Sequence, residues 1–208
     1  SDIGIHNVYL DAAGLEVDMG SRHGAASVYD EQNDRLYLFG GQGRLVNGTS
    51  GYLNDLWVFE NGRWKWLFGG DVKNQAGSYS NSDPALVYPG SRYGAAMWMD
   101  ANGDVWVFGG RGEDENGDFG YMNDLWRWDS SAKRWFFEEG SKIRDQGNYY
   151  FDLSTFSLVY KVGGRIGMNI WQAPNGDVLL YGGHGFHSSG TGEGYFADFW
   201  KWDGNNWT

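Results

Sequence analysis

The chain has no cysteine, only 3 prolines and a deficit of basic residues. Without cysteine there can be no disulfide, no thiolate nucleophile and no cysteine-ligated zinc. A membrane-spanning helix needs about 20 consecutive apolar residues, and no such run occurs; the N-terminus does not read as a signal peptide. With 16 Lys and Arg against 27 Asp and Glu, the net charge is −11 at pH 7. Nucleic-acid binding draws on a basic face that displaces phosphate counterions, so nucleic acid is excluded as a partner class. An acidic balance of this kind suits a solvated surface, a cation or a basic partner.

Glycine and aromatics are abundant. There are 34 Gly, 12 Trp, 13 Tyr and 12 Phe in 208 residues. Aromatic rings fit pleated sheet surfaces, and glycines supply positive-φ turns between short strands. No segment sustains a helical period. The composition therefore points to an all-β protein with many tight turns.

Self-similarity organises the sequence. Ser21-Arg-His-Gly-Ala-Ala26 returns as Ser91-Arg-Tyr-Gly-Ala-Ala96 and, altered, as Gly164-Arg-Ile-Gly-Met-Asn169. Each leads to an apolar strand ending in a diglycine, LYLFGG at 36–41, VWVFGG at 105–110 and VLLYGG at 178–183. Then follow YLNDLWVF at 52–59, YMNDLWRW at 121–128 and YFADFWKW at 195–202, with closing tryptophans Trp64, Trp135 and Trp207. From the arginine to the second glycine is 19, 18 and 18 residues, and from there to the aspartate 14, 14 and 15. Asn33-Asp34, Asn102-Gly103 and Asn175-Gly176 supply hairpin turns between the first two strands. Each unit reads as four short antiparallel strands, in blades at about 21–67, 91–137 and 164–207, with linkers at 1–20, 68–90 and 138–163.

These residues resemble kelch repeats, the four-stranded blades of kelch and galactose-oxidase-type β-propellers, over roughly 45 residues of each unit. The third copy departs with Met168-Asn169 for Ala-Ala and Ala197 for Asn. The resemblance implies blades stacked face to face, with the tryptophans packing one on the next. Closed propellers have roughly 4–8 blades, so three leave aromatic faces uncovered. A second copy completing a six-bladed ring, or further blades of a longer chain, would cover them.

Candidate sites lie in the connections. The linkers share Gln75-Ala-Gly-Ser-Tyr79 and Gln146-Gly-Asn-Tyr-Tyr150, and Tyr79, Tyr149, Tyr150 and Phe151 are candidates to stack on a ligand such as a sugar. The segments after each diglycine, 42–51, 111–120 and 184–194, read as long polar loops. One carries Glu113, Asp114, Asn116 and Asp118, oxygen donors of the kind Ca²⁺ takes. Its Asp114-x-Asn116-x-Asp118 start resembles an EF-hand loop but lacks the glycine and the bidentate glutamate. His184 and His187 have no evident third metal ligand. Asn47 heads an Asn-Gly-Thr sequon, a glycosylation site if the chain is secreted by a eukaryote. No catalytic motif is visible, and the Cys-Tyr cofactor of galactose oxidase is impossible here. The expectation is a non-catalytic interaction or assembly module of an extracellular or cell-surface protein, without a cofactor unless calcium binds. Carbohydrate or small-ligand binding through loop aromatics and acids is the alternative, and a hydrolase or oxidoreductase ranks behind both.

Overall fold

The computed structural model describes residues 19–44, 48–70, 72–80, 82–148, 161–187 and 192–208. Among these the regular structure is antiparallel sheet, apart from one 3-10 turn at Pro84–Leu86. The first repeat holds β1 (Arg22–His23), β2 (Ala26–Asp30), β3 (Arg35–Arg44), β4 (Ser50–Glu60) and β5 (Arg63–Phe68). The second holds β6 (Arg92–Tyr93), β7 (Ala96–Met99), β8 (Val105–Phe108), β9 (Arg111–Glu113), β10 (Phe119–Tyr121), β11 (Leu125–Asp129) and β12 (Arg134–Glu139). The third holds β13 (Arg165–Ile166), β14 (Asn169–Gln172), β15 (Val178–Tyr181), β16 (His184–Phe186), β17 (Glu193–Tyr195) and β18 (Phe199–Trp202).

Each repeat builds one blade-like meander. The strand orders are β2-β3-β4-β5, β7-β8-β11-β12 and β14-β15-β18, the last extended by a bridge from Trp202 to Trp207. The first strands β2, β7 and β14 lie next to one another, so the sheets fan outward from that edge. This is an all-β, propeller-like architecture.

The turns follow from their chemistry. Asp100 Oδ1 accepts the backbone N–H groups of Asn102 and Asp104, and Gly103 takes φ 80° between them. A side chain at that φ would be strained, whereas glycine is not.

The segments after the diglycines are not plain loops, which corrects the sequence reading. β3 runs straight through Gly40-Gly41 to Arg44, with a register shift there, and pairs with β1 and β4. The equivalent stretches form the ribbons β6-β9-β10 and β13-β16-β17. The strand continues past the glycines at a kink, and the two residues at each repeat's arginine add a further short strand. Two apolar clusters lie between successive sheets. The first joins Phe39, Leu56 and Val58 to Val107, Trp126 and Trp135; the second joins Trp98, Phe108 and Leu125 to Leu180, Trp200 and Trp207. Tryptophans thus pack one sheet on the next.

Candidate functional site

The arginine, the diglycine and the aspartate of each repeat are far apart in sequence and meet in one buried node. Arg92 donates to both carboxylate oxygens of Asp124, at 2.5 and 2.8 Å, and both side chains are fully buried. The same guanidinium donates to the carbonyls of Gly109 and Gly90. Trp126 Nε1 and the Tyr79 hydroxyl each donate to Asp124 Oδ2, at 2.6 and 2.7 Å. The first repeat reproduces the node with Arg22, Asp55, Gly40 and Trp57. The third uses Arg165, Asp198, Gly182 and Trp200, with Asn148 in place of the tyrosine. Burial alone would push the Asp198 carboxyl up; the Arg165 guanidinium, with bonds from Trp200 and Asn148, outweighs it and holds the group below its ordinary value. Buried charges persist only when paired and hydrogen-bonded, and these are.

The diglycine also seats the following repeat. Gly40 has φ 63°, and a Cβ there would lie 2.7 Å from the Arg92 carbonyl oxygen. In the second repeat Gly110 N–H donates to the Arg165 carbonyl at 2.9 Å. The asparagine before each aspartate holds the incoming chain: Asn54 Nδ2 donates to Pro89 O and Asn123 Nδ2 to Val162 O. Ala197 at this position in the third repeat has no such group.

A seam of rings and polar groups links the repeats beyond the diglycines. Tyr52 stacks between Tyr93 and Phe119 of the next repeat, with centroids at 5.3 and 4.5 Å. Tyr121, its counterpart, donates to Glu193 Oε2 and meets His184 Nδ1, both at 2.9 Å, while the Arg111 guanidinium lies over its ring. Burial and the bond to Glu193 push the Tyr121 hydroxyl up to about 12. Alongside runs a backbone ladder: Gly94 N–H donates to Gly24 O at 2.7 Å, and Gly167 N–H to Gly94 O at 3.3 Å.

Among the described residues neither series goes on past the third repeat. Tyr195, the counterpart of Tyr52 and Tyr121, is 86% exposed. The forward face of the second sheet, with Trp98, Phe108 and Leu125, is buried under the third; the matching Trp171, Tyr181 and Phe199 are 53%, 43% and 59% exposed. On the first sheet, the face that backs onto a preceding sheet in the other repeats carries Tyr29 at 53% and Phe59 at 37%.

Of the residues picked out from the sequence, Tyr79 is corrected. It is 5% exposed, wedged against Trp126 and Phe137 with its hydroxyl on Asp124, so neither ring face is open to a ligand. Tyr149, Tyr150, Phe151 and Asn47 lie outside the described residues. The acidic segment does not converge as a calcium loop would. Asp114 Oδ1 caps the N–H groups of Asn116 and Asp118, and its Oδ2 accepts from Arg144 N–H, while Asn116 and Asp118 are exposed. Burial, then Asp114 and Asp118 nearby, push the Glu113 carboxyl up. Among the described residues no three His, Asp or Glu side chains stand together as metal ligands. His184 is engaged with Tyr121, and His187 packs on Phe196.

A cleft of about 400 Å³ opens at the hairpin-turn end between the second and third sheets, beside Asp100, Asp104, Arg127 and Gln172. Its groups are committed to one another: Trp106 Nε1 donates to Asp100, and Arg127 to Asp104 and Glu138. Its rings Trp98 and Trp106 are buried.

The Arg–Asp pairing and the tyrosine seam were missed in the sequence reading, although both recur in register. The available signal was the recurrence of an arginine and an aspartate 33, 32 and 33 residues apart in the three repeats, which flags both positions without showing that they pair.

No family model and no curated protein matches the chain. Among solved structures it is similar to one described as the structure of YjhT, with 16% identity and a TM-score of 0.47 over 91% of this chain and 70% of that one.

Proposed function

We infer that this chain is a non-catalytic, kelch-type propeller module that works in protein interaction or structural assembly through its two end faces. The observation that carries this reading is the forward face of the third sheet. It presents Trp171, Tyr181 and Phe199 to solvent at positions whose counterparts are buried between sheets. Fully burying one large apolar side chain is worth about 1.5–3 kcal/mol, so a partner gains from covering the patch, and contiguous exposed apolar surface marks interaction sites. The polar residues repeated in every unit support the non-catalytic part: Arg92, Asp124 and Trp126 satisfy one another. Asp114, which belongs to the second unit alone, caps backbone.

Hydroxyl-radical footprinting of the dilute chain tests the reading. Trp171, Tyr181, Tyr195 and Phe199 should label strongly, and Trp98, Phe108 and Leu125 should stay silent. Protection of the first group in dilute monomer would mean that the chain covers its own faces, and the reading would be abandoned.

A further inference from the structure

We propose that the partner for these faces is a second copy of this chain, docked head to tail so that the back of its first sheet covers the front of the third. The proposal rests on the end-face reading above and names its occupant. It extends an interface that the molecule already makes twice, between its first and second sheets and between its second and third.

The two faces are complementary position by position. In the internal interfaces, the forward face of one sheet receives a back face built from fixed positions of the next. Trp98, Phe108 and Leu125 receive Val178, Leu180, Trp202 and Trp207. The first sheet carries the matching back positions as Leu36, Leu38, Phe59 and Trp64, in the same register against β2 and β5. These are partly exposed rather than buried. The chain therefore presents one forward and one back face, each the counterpart of the other.

The backbone ladder gives the same answer by a separate route. Gly24 O receives Gly94 N–H, and Gly94 O receives Gly167 N–H. Side chains of the next repeat cover these turns, Tyr93 over Gly24 and Ile166 over Gly94, while nothing among the described residues stands within 4 Å of a Cβ placed on Gly167. The next residue in the series is Gly24 of a second copy, with its His23 in the place of Tyr93 and Ile166. The tyrosine seam continues in step. Tyr52 packs on Tyr93 and Phe119, and Tyr121 meets His184 and Glu193. Tyr195 would meet His23, Gln42 and Ser50 of the second copy, which stand at the equivalent register positions of β1, β3 and β4.

One internal contact is missing from the new interface. Ala197 replaces the asparagine that clamps the incoming chain at Pro89 and Val162. Association between copies thus rests on apolar packing and the glycine ladder, and is weaker than the internal interfaces. A face that meets a different face generates either a closed ring or an open series. With two copies each supplying three sheets, the expected product is a closed dimer.

The experiment is the solution mass of the 208-residue chain by native mass spectrometry and sedimentation over nanomolar to high micromolar concentration. It is run beside Phe199→Asp and a control, Glu115→Ser, on an exposed turn of the second repeat. The expected result is a dimer for the chain and the control, and a monomer for Phe199→Asp with unchanged circular dichroism. An open series lost with Phe199→Asp would also support head-to-tail docking. A monomer at every concentration would overturn the proposal. Footprinting of that monomer then separates the two levels. Labelled Trp171 and Tyr181 leave the end-face reading standing for another partner, whereas protected rings remove both.

Discussion

Replacing Asp124 by asparagine strikes the most buried of the three nodes. Asp124 accepts two hydrogen bonds from Arg92 and one each from Trp126 and Tyr79, and neither member of the ion pair has exposed side-chain surface. The variant keeps the volume and one acceptor oxygen but removes the carboxylate charge bonded to Arg92. Breaking a buried pair by removing one partner costs about 3–5 kcal/mol, since an uncompensated charge stays inside. The amide also turns an NH₂ group toward donors, and each buried donor left unpaired costs about 1–3 kcal/mol. Whole-domain stability is about 5–15 kcal/mol, so Asp124→Asn should sit near the edge of folding. Asp198→Asn, at the same place in the third repeat, should cost less. Asp198 is 15% exposed, and Arg165 retains a bond to Asn148 Oδ1. The loss at Asp124 should exceed that at Asp198 by at least about 1 kcal/mol, because water can reach the second site. Urea denaturation at pH 7, followed by tryptophan fluorescence and far-ultraviolet circular dichroism, reads both. Equal losses, or a loss below about 1 kcal/mol at Asp124, would refute the view that the nodes hold the repeats together through desolvated charge.

Other outcomes follow from particular residues. Burial pushes the Glu139 carboxyl up despite Lys161 nearby, and its Oε2 is buried without a hydrogen-bond partner among the described residues. Its native pKa therefore lies above the unfolded value of about 4.3, and its contribution to stability falls as pH rises between the two. Glu139→Gln should raise the melting temperature at pH 7 and lose that advantage as pH drops below the unfolded value; a gain equal at both pH values would count against this. Asn123→Ala should cost about 1–3 kcal/mol by orphaning Ser141 N–H and Val162 O, whereas Ala197→Asn should be close to neutral, both measured by urea denaturation. Asp114→Ala should lower the melting temperature by the same amount with and without millimolar Ca²⁺, because the carboxylate caps three backbone N–H groups; a calcium-dependent difference would restore the cation reading.

The repeat was legible because its signals are local and periodic. Asn-Gly turns, diglycines after apolar runs and spaced tryptophans each have a backbone or packing cause that survives without tertiary context. What those motifs do jointly was not legible. The arginine and aspartate meet across 32 residues in the second repeat, and sequence spacing alone does not say that two charges share one buried pocket. The acidic segment was ambiguous for a related reason. Aspartates that cap backbone N–H groups and aspartates that bind cations use the same residues at similar spacing, and only the direction of the Asp114 oxygens separates them. Tyr79 resembled a loop aromatic because long connections lie on surfaces as a rule. Here the linker turns inward so that its hydroxyl completes the Asp124 node. The strands past the diglycine were hidden by their glycine and polar content, which propensity assigns to loops.

The most direct test of the central claim, that the end faces repeat the internal interface, uses the chain's lack of cysteine. A Cβ on Gly24 would lie 3.4 Å from Tyr93 Cβ, and one on Gly94 3.1 Å from Ile166 Cβ, near the roughly 3.5–4.5 Å that disulfides span. Gly94→Cys with Ile166→Cys should close within one chain on oxidation, strained turn included. Gly167→Cys with His23→Cys should close only between chains. The account predicts a covalent dimer from the second pair on a non-reducing gel. If the first pair closes while the second remains monomeric, the end faces do not meet in this register and the account is contradicted.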